Sequence, residues 1–443
     1  MIGRARLALG LAGVLFVAYN ANGREIGTVD SQPQKYTARE LAVHGTLRLN
    51  RIVAERPGLG ERAAFARDVD GQWRSAYPIL PGVLAAIPAT ALHWTGLVDM
   101  DAPLAPNLVA KLTASAMTAA AVALLFLALA RLVPNAAALW TAIGLGLGTG
   151  YWPVFSQTLW QHGPAALGLA ACVYCWMRPG AELSQRQLWV GGLGLGMAGA
   201  ARPALVPIVA VLLLCIVRRV GLRRAVLALV PVAVLAAASL AGNVLWFRNP
   251  MGAYWTVESV HPAVHAVPSA VAARPWENAV GLLASPSRGL LIFSPIVAVA
   301  LAGLASAWRQ PLGTGLRWML AAAALQFAAY SWYAVWWGGH SFGPRYLLDV
   351  LPLVAPAAAL GVARLRQSRV VTVLMGLLLA WSIAVAAAGA FVYPHERWNT
   401  APSDVDRNHD RLWDWRDPQV RRVFRAEPSP QNFDLFSREA VRR

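Results

Sequence analysis

Between Lys111 and Arg131, and again between Arg369 and His395, the chain carries no charged side chain. Runs of that length and character are too long for the core helix of a small soluble domain, and they match the hydrocarbon thickness of a bilayer when helical. Similar runs recur along the 443 residues, and with a mean hydropathy of +0.46 they point to a polytopic membrane protein. Only 14% of residues are charged, well below the roughly 25% of an average soluble domain. The formal charge of +17 argues for nucleic acid only if the basic residues gather on a soluble face. Instead most arginines stand singly or in pairs between apolar runs, the pattern of cytoplasmic loops. Cys172, Cys175 and Cys215 all fall within apolar runs, which favours packing over metal or redox work.

Hydropathy and arginine placement predict an all-α bundle of about eleven crossings, near 5–21, 107–131, 135–152, 163–177, 188–201, 203–217, 225–246, 289–307, 318–335, 346–363 and 370–392. The run after Arg4 and Arg6 is read as a retained first span. The membrane-embedded part then covers 1–393, with a long first outer segment at 22–106, a second long outer loop at 247–288, and an outer tail at 394–443. In the first outer segment, Thr37 to Val53 reads as one amphipathic surface helix. Leu41, Val43, Leu47, Leu49 and Ile52 form its apolar side, and Arg39, Glu40, Arg48 and Arg51 its wet side. The apolar stretch 79–98 is interrupted by Pro81 and Pro88, carries His93, and is expected to be an interfacial or re-entrant helix.

On this topology the unusual polar residues collect on one face. Asp30 sits on a turn just after the first span, where a carboxylate can take a proton from an incoming hydroxyl or amine. A helix cap is the competing role for it. Arg39, Glu40 and Tyr77 follow in the same segment, Gln161 and His162 in the next outer loop, and Arg202 at the fifth–sixth turn. Arg288 lies in Ser285-Pro286-Ser287-Arg288-Gly289, and Arg345 in Trp336-Trp337-Gly338-Gly339-His340-Ser341-Phe342-Gly343-Pro344-Arg345-Tyr346. Glycines permit close backbone approach, and an arginine fork matches phosphate, so two such turns suggest an anionic lipid headgroup. Arg202 and Asp349, each near the edge of an apolar run, need partners or a wet cavity. Trp336 and Trp337 also suit an interfacial aromatic belt. In the tail, 404–408 loosely resembles a calcium loop but lacks its glycine and terminal glutamate, and no metal or other cofactor is expected.

These motifs, with Asp30-Ser31, Tyr77-Pro78 and Leu159-Trp160-Gln161-His162-Gly163-Pro164, resemble the polytopic GT-C glycosyltransferases. The likeness is to bacterial members of the branch near protein O-mannosyltransferases and lipid A aminoarabinose transferases, and it runs nearly the whole length. It implies an inner-membrane enzyme that moves a sugar from a polyprenyl-phosphate donor to a lipid, glycan or protein acceptor at the outer, periplasmic face. Asp30 would be the general base and the anomeric carbon would invert. Arg345, with Arg288 or Arg202, would hold the leaving phosphate, and Arg39, Glu40, Tyr77, Gln161, His162, His340 and Tyr346 would line the substrate site. Where the aminoarabinose transferases carry a second Asp, this chain has His162. The alternative is a transporter or lipid flippase of envelope precursors, for which repeated halves or paired helix breaks are expected. Neither is visible in the sequence. A third possibility, a non-catalytic assembly partner, predicts that Asp30 can be changed without effect.

Overall fold

A computed structural model describes residues 2–178, 182–254, 274–311 and 315–442. Trp255, His261 and His265 of the 247–288 loop lie outside the described residues. The chain is predominantly helical. Its first helix is α1 (Ile2–Asn20), and two short ones, α2 (Gln32–His44) and α3 (Asn50–Glu55), follow. A two-stranded hairpin, β1 (Phe65–Arg67) and β2 (Trp73–Ser75), precedes α4 (Leu80–Trp94). The bundle continues with α5 (Ala105–Leu129), α6 (Asn135–Leu147), α7 (His162–Trp176), α8 (Gln185–Ala201), α9 (Val206–Val220) and α10 (Leu222–Phe247). Next come α11 (Pro275–Ala284), α12 (Val299–Trp308), α13 (Leu316–Ser331), α14 (Leu351–Leu365), α15 (Arg369–Val392) and a short α16 (Gln419–Val423) in the tail.

Among the described residues, five helical stretches are long and apolar enough to cross a membrane: Ala105–Leu129, Pro203–Val220, Leu222–Phe247, Tyr346–Leu365 and Arg369–Val392. Helical backbone satisfies its own polar groups, which is what a bilayer requires. Leu80–Trp94, Asn135–Leu147 and Pro295–Trp308 are apolar but shorter. The helices approach closely at glycines. A Cβ on Gly303 would lie 1.8 Å from the Ala357 carbonyl oxygen, and one on Gly168 would lie 2.2 Å from that of Gly194. Small residues at such crossings let backbones meet, which replaces the hydrophobic driving force that lipid cannot supply.

Two expectations for the 22–106 segment are corrected. The surface helix begins at Gln32, with Pro33 in its first turn, and stops at Gly45, whose φ of 63° is left-handed. The chain restarts as α3, so 37–53 is two helices and not one. Arg39 and Glu40 are not wet. They are 5% and 1% exposed, because Glu40, Glu55 and Asp101 gather around Arg39 at 3.0, 3.2 and 2.6 Å. That cluster pins α2 to α3 and to the turn before α5, while Arg48 and Arg51 stay exposed.

The tail folds back over one end of the bundle. Phe433 and Leu435 donate backbone hydrogen bonds to the carbonyls of Asn22 and Gly23 at the end of α1. Asp99 donates to Val441, and the Ser285 hydroxyl to Leu412. The 22–104 segment, the 285–289 turn, the 336–345 loop and the tail thus share that end.

Candidate functional site

Asp30 sits on the turn that leads into α2. Ser31 fixes the turn locally: its hydroxyl donates to the Thr28 carbonyl at 3.1 Å and accepts from the Thr28 N–H at 3.0 Å. The Asp30 carboxylate is therefore not the cap, and it points to tertiary partners instead. The Tyr77 hydroxyl donates to its Oδ1 at 3.1 Å, and Nη1 of Arg345 approaches Oδ2 at 3.4 Å across 315 residues of sequence.

Arg345 reaches this place because the 336–345 loop is built on glycines. Gly338 has φ 77°, and a Cβ there would sit 3.1 Å from Cγ and Nε of Arg345. The guanidinium lies over Trp160 at 4.9 Å and Tyr346 at 5.2 Å, an arrangement that favours a cation on an aromatic face. Its Nε is buried and has no hydrogen-bond partner among the described residues. A buried donor left unpaired is costly, and Arg24 Nε is another such atom among the described residues. The pair is half open: the Arg345 side chain is 14% exposed and that of Asp30 29%.

Behind this pair lies a closed layer. Asp349 accepts from Arg202 Nε at 2.7 Å and from the Tyr330 hydroxyl at 2.8 Å, and its other oxygen meets His162 Nδ1 at 2.7 Å. A carboxylate facing Nδ1 takes that N–H, which leaves the lone pair of a neutral imidazole on Nε2. His162 also stacks on Phe155, with ring centres 4.8 Å apart. Tyr346 joins the two layers. It stacks on Tyr330 at 5.1 Å and has Arg202 at 5.4 Å and Arg345 at 5.2 Å.

Of the residues expected in the substrate site, the structure brings Asp30, Tyr77, Arg345 and Tyr346 into direct contact and sets His162 and Arg202 behind them. Arg202 is already neutralised by Asp349, which removes it as a free phosphate ligand. Arg288 is a clearer correction. Its five N–H groups go to the carbonyls of Trp337, Ser287 and Gly339 and to the side-chain oxygens of Gln419 and Asn399, at 2.6–3.1 Å. A guanidinium with every donor committed cannot grip a phosphate, and burial draws it down to about 10. It fastens the 285–289 turn and the 336–345 loop to the tail. Arg39 and Glu40 belong to the bracing cluster described above. Gln161 is buried, 7% exposed, and His340 faces Asp404 and Asp406 of the tail.

Trp160, Tyr330 and Glu396 were not singled out from the sequence. Trp160 lies in sequence between Leu159 and Gln161, and only the fold brings it under Arg345. Glu396 is 7% exposed. It accepts from Gln419 at 3.2 Å through Oε1, while its buried Oε2 has no partner among the described residues. Burial raises this carboxyl to about 7. The folded pKa therefore exceeds the ordinary 4.5, so the native state favours the neutral acid. Stability is fully present below about pH 4.5, falls as pH rises through about 7, and is level above that. Glu396→Gln is expected to flatten this slope and to raise stability at pH 8 by on the order of 3 kcal/mol, as the size of such a shift implies. Thermal unfolding in detergent at pH 5, 6, 7 and 8 checks it, and a slope unchanged in the variant contradicts it.

No family model matches the chain, and no curated protein matches it either.

Proposed function

We propose that the chain is an integral membrane glycosyltransferase of the GT-C kind, with about eleven crossings in the plasma membrane and its site on the outer face. The donor is a sugar carried on a polyprenyl phosphate. The observation that carries this is the meeting of Asp30 with Arg345 in a half-open site where the guanidinium Nε is still unpaired. Asp30 accepts the proton of the acceptor hydroxyl or amine as that atom attacks the anomeric carbon. The bond from that carbon to the phosphate oxygen breaks, and the polyprenyl phosphate leaves with the electron pair. Arg345 receives the charge, using Nε and the Nη groups that its loose 3.4 Å contact with Asp30 does not tie down. Tyr77 holds the carboxylate in place from the other side. An apolar cleft between α6, α12 and α14, lined by Trp140, Gly144, Ile296, Val299, Leu351 and Ala355, lies along the helical stretch that carries Asp349.

The test is turnover of a radiolabelled polyprenyl-phosphate sugar by purified protein, with a membrane extract as the acceptor source. Arg345→Ala is expected to slow it by about 10²–10³, as the loss of one preorganised donor to a developing anion does. Arg345→Lys, which keeps charge without the fork, is expected to fall between. Turnover in Arg345→Ala equal to wild type overturns the assignment.

A further inference from the structure

We propose that His340, Asp404 and Asp406 form a binding site for a divalent cation of the zinc type, which clasps the Arg345-bearing loop to the C-terminal tail. The inference stands apart from the transferase proposal. His340 Nε2 lies 3.1 Å from Asp404 Oδ1 and 3.5 Å from Asp406 Oδ2, and the three ligand atoms all fall within 4.8 Å of one another. An ion pair accounts for only half of this. Nε2 carries one proton at most, yet Asp404 Oδ1, which also accepts the Asp406 N–H at 2.9 Å, and Asp406 Oδ2 both stand close to it. Two carboxylates so close repel, and a cation between them, a bound ion or the imidazolium itself, relieves the repulsion.

The spacing fits a metal. With zinc–nitrogen and zinc–oxygen distances near 2.0–2.2 Å, neighbouring ligands of a tetrahedral ion stand about 3.3 Å apart. The two observed nitrogen–oxygen distances fall on either side of that value. An imidazole with two carboxylates favours a zinc-type ion over calcium or magnesium, which take oxygen ligands. Its charge would be balanced by the two carboxylates. Trp337 Nε1 donates to Asp406 Oδ1 at 2.7 Å, which leaves Oδ2 for His340, and the Tyr393 hydroxyl holds the His340 carbonyl at 3.1 Å. Outer partners of this sort orient metal ligands. The side chains of His340, Asp404 and Asp406 are 40%, 38% and 13% exposed, so an ion can enter from water and keep a water in the fourth position. The ligands come from segments 64 residues apart, so a bound ion would couple the loop carrying Arg345 to the tail.

The experiment uses the full chain in detergent, stripped with a chelator, equilibrated with zinc chloride and desalted. Bound metal is counted by mass spectrometry, affinity is measured by calorimetry, and the unfolding temperature is followed. One zinc per chain is expected, with a higher unfolding temperature. His340→Ala and Asp406→Asn are expected to weaken binding at least about tenfold and to abolish the thermal shift. Asp410→Asn, an exposed tail carboxylate outside the set, is expected to change neither. If His340→Ala fails to fold, the isosteric Asp404→Asn carries the same expectation. Failure of wild type to hold zinc overturns the site, as does undiminished affinity in the ligand variants or a preference for calcium.

Discussion

Asp30→Asn is expected to slow the proposed sugar transfer by about 10²–10⁴ while leaving the affinity for polyprenyl phosphate within a few fold. That is the expected result if Asp30 is the proton acceptor, since a positioned general base supplies acceleration of this order. The substitution keeps the shape and the hydrogen bond from Tyr77 but removes the proton acceptor. It also leaves Arg345 over Trp160 and Tyr346, so the anion site survives. The split between rate and affinity makes the result informative. If Asp30 only pairs with Arg345 for stability, the unfolding temperature moves and the turnover does not. If it only neutralises Arg345, removing it tightens phosphate binding and speeds nothing. Steady-state kinetics with the lipid donor and a binding titration, on the same preparation, separate these cases.

The second large effect is on stability. Asp349→Ala is expected to destabilise the bundle by roughly 3–5 kcal/mol, the cost of breaking a buried pair from one side. Asp349 satisfies three groups at once, and its loss strands the Arg202 guanidinium, the His162 imidazole and the Tyr330 hydroxyl in a closed layer. Replacing Arg202 by Met and Asp349 by Leu together is expected to recover the part of that loss due to the stranded guanidinium, while the His162 N–H and the Tyr330 hydroxyl stay without the carboxylate. The double variant would still lack the scaffold behind Tyr346, so its transfer rate is expected to stay low. Thermal unfolding of both variants in one detergent tests this. A single substitution that unfolds at the wild-type temperature would show that the layer is not a structural hub.

Much of the architecture was legible because membrane crossing leaves a coarse signal. Stretches such as Ala105–Leu129 and Arg369–Val392 are uncharged over long runs, and nothing but a helix suits them. The gathering of polar residues at one end was legible for the same reason, since charge is excluded elsewhere. What was not legible was how the charges pair. Arg39 and Glu40 follow the spacing of an exposed helical face, and only the arrival of Asp101 from 62 residues away turns that face inward. Arg288 and Arg345 sit in turns of similar composition. One has every donor filled by the loop and tail, and the other keeps Nε unpaired, a difference that depends on Gln419 and Asn399 reaching the first and not the second. Tyr330 was invisible because a tyrosine in an apolar helix gives no hint of what its hydroxyl meets. The break at Gly45 was missed because helix periodicity continues past it on paper, while the left-handed glycine ends the helix.

Titration of a short-chain polyprenyl phosphate into purified protein tests the central claim most directly, because it requires neither the identity of the sugar nor that of the acceptor. The account predicts saturable binding to wild type, weakening of roughly tenfold or more in Arg345→Ala, as expected for loss of a charge-assisted fork, and near-normal binding in Asp30→Asn. Binding that is absent from wild type, or equally strong without the Arg345 guanidinium, would contradict it.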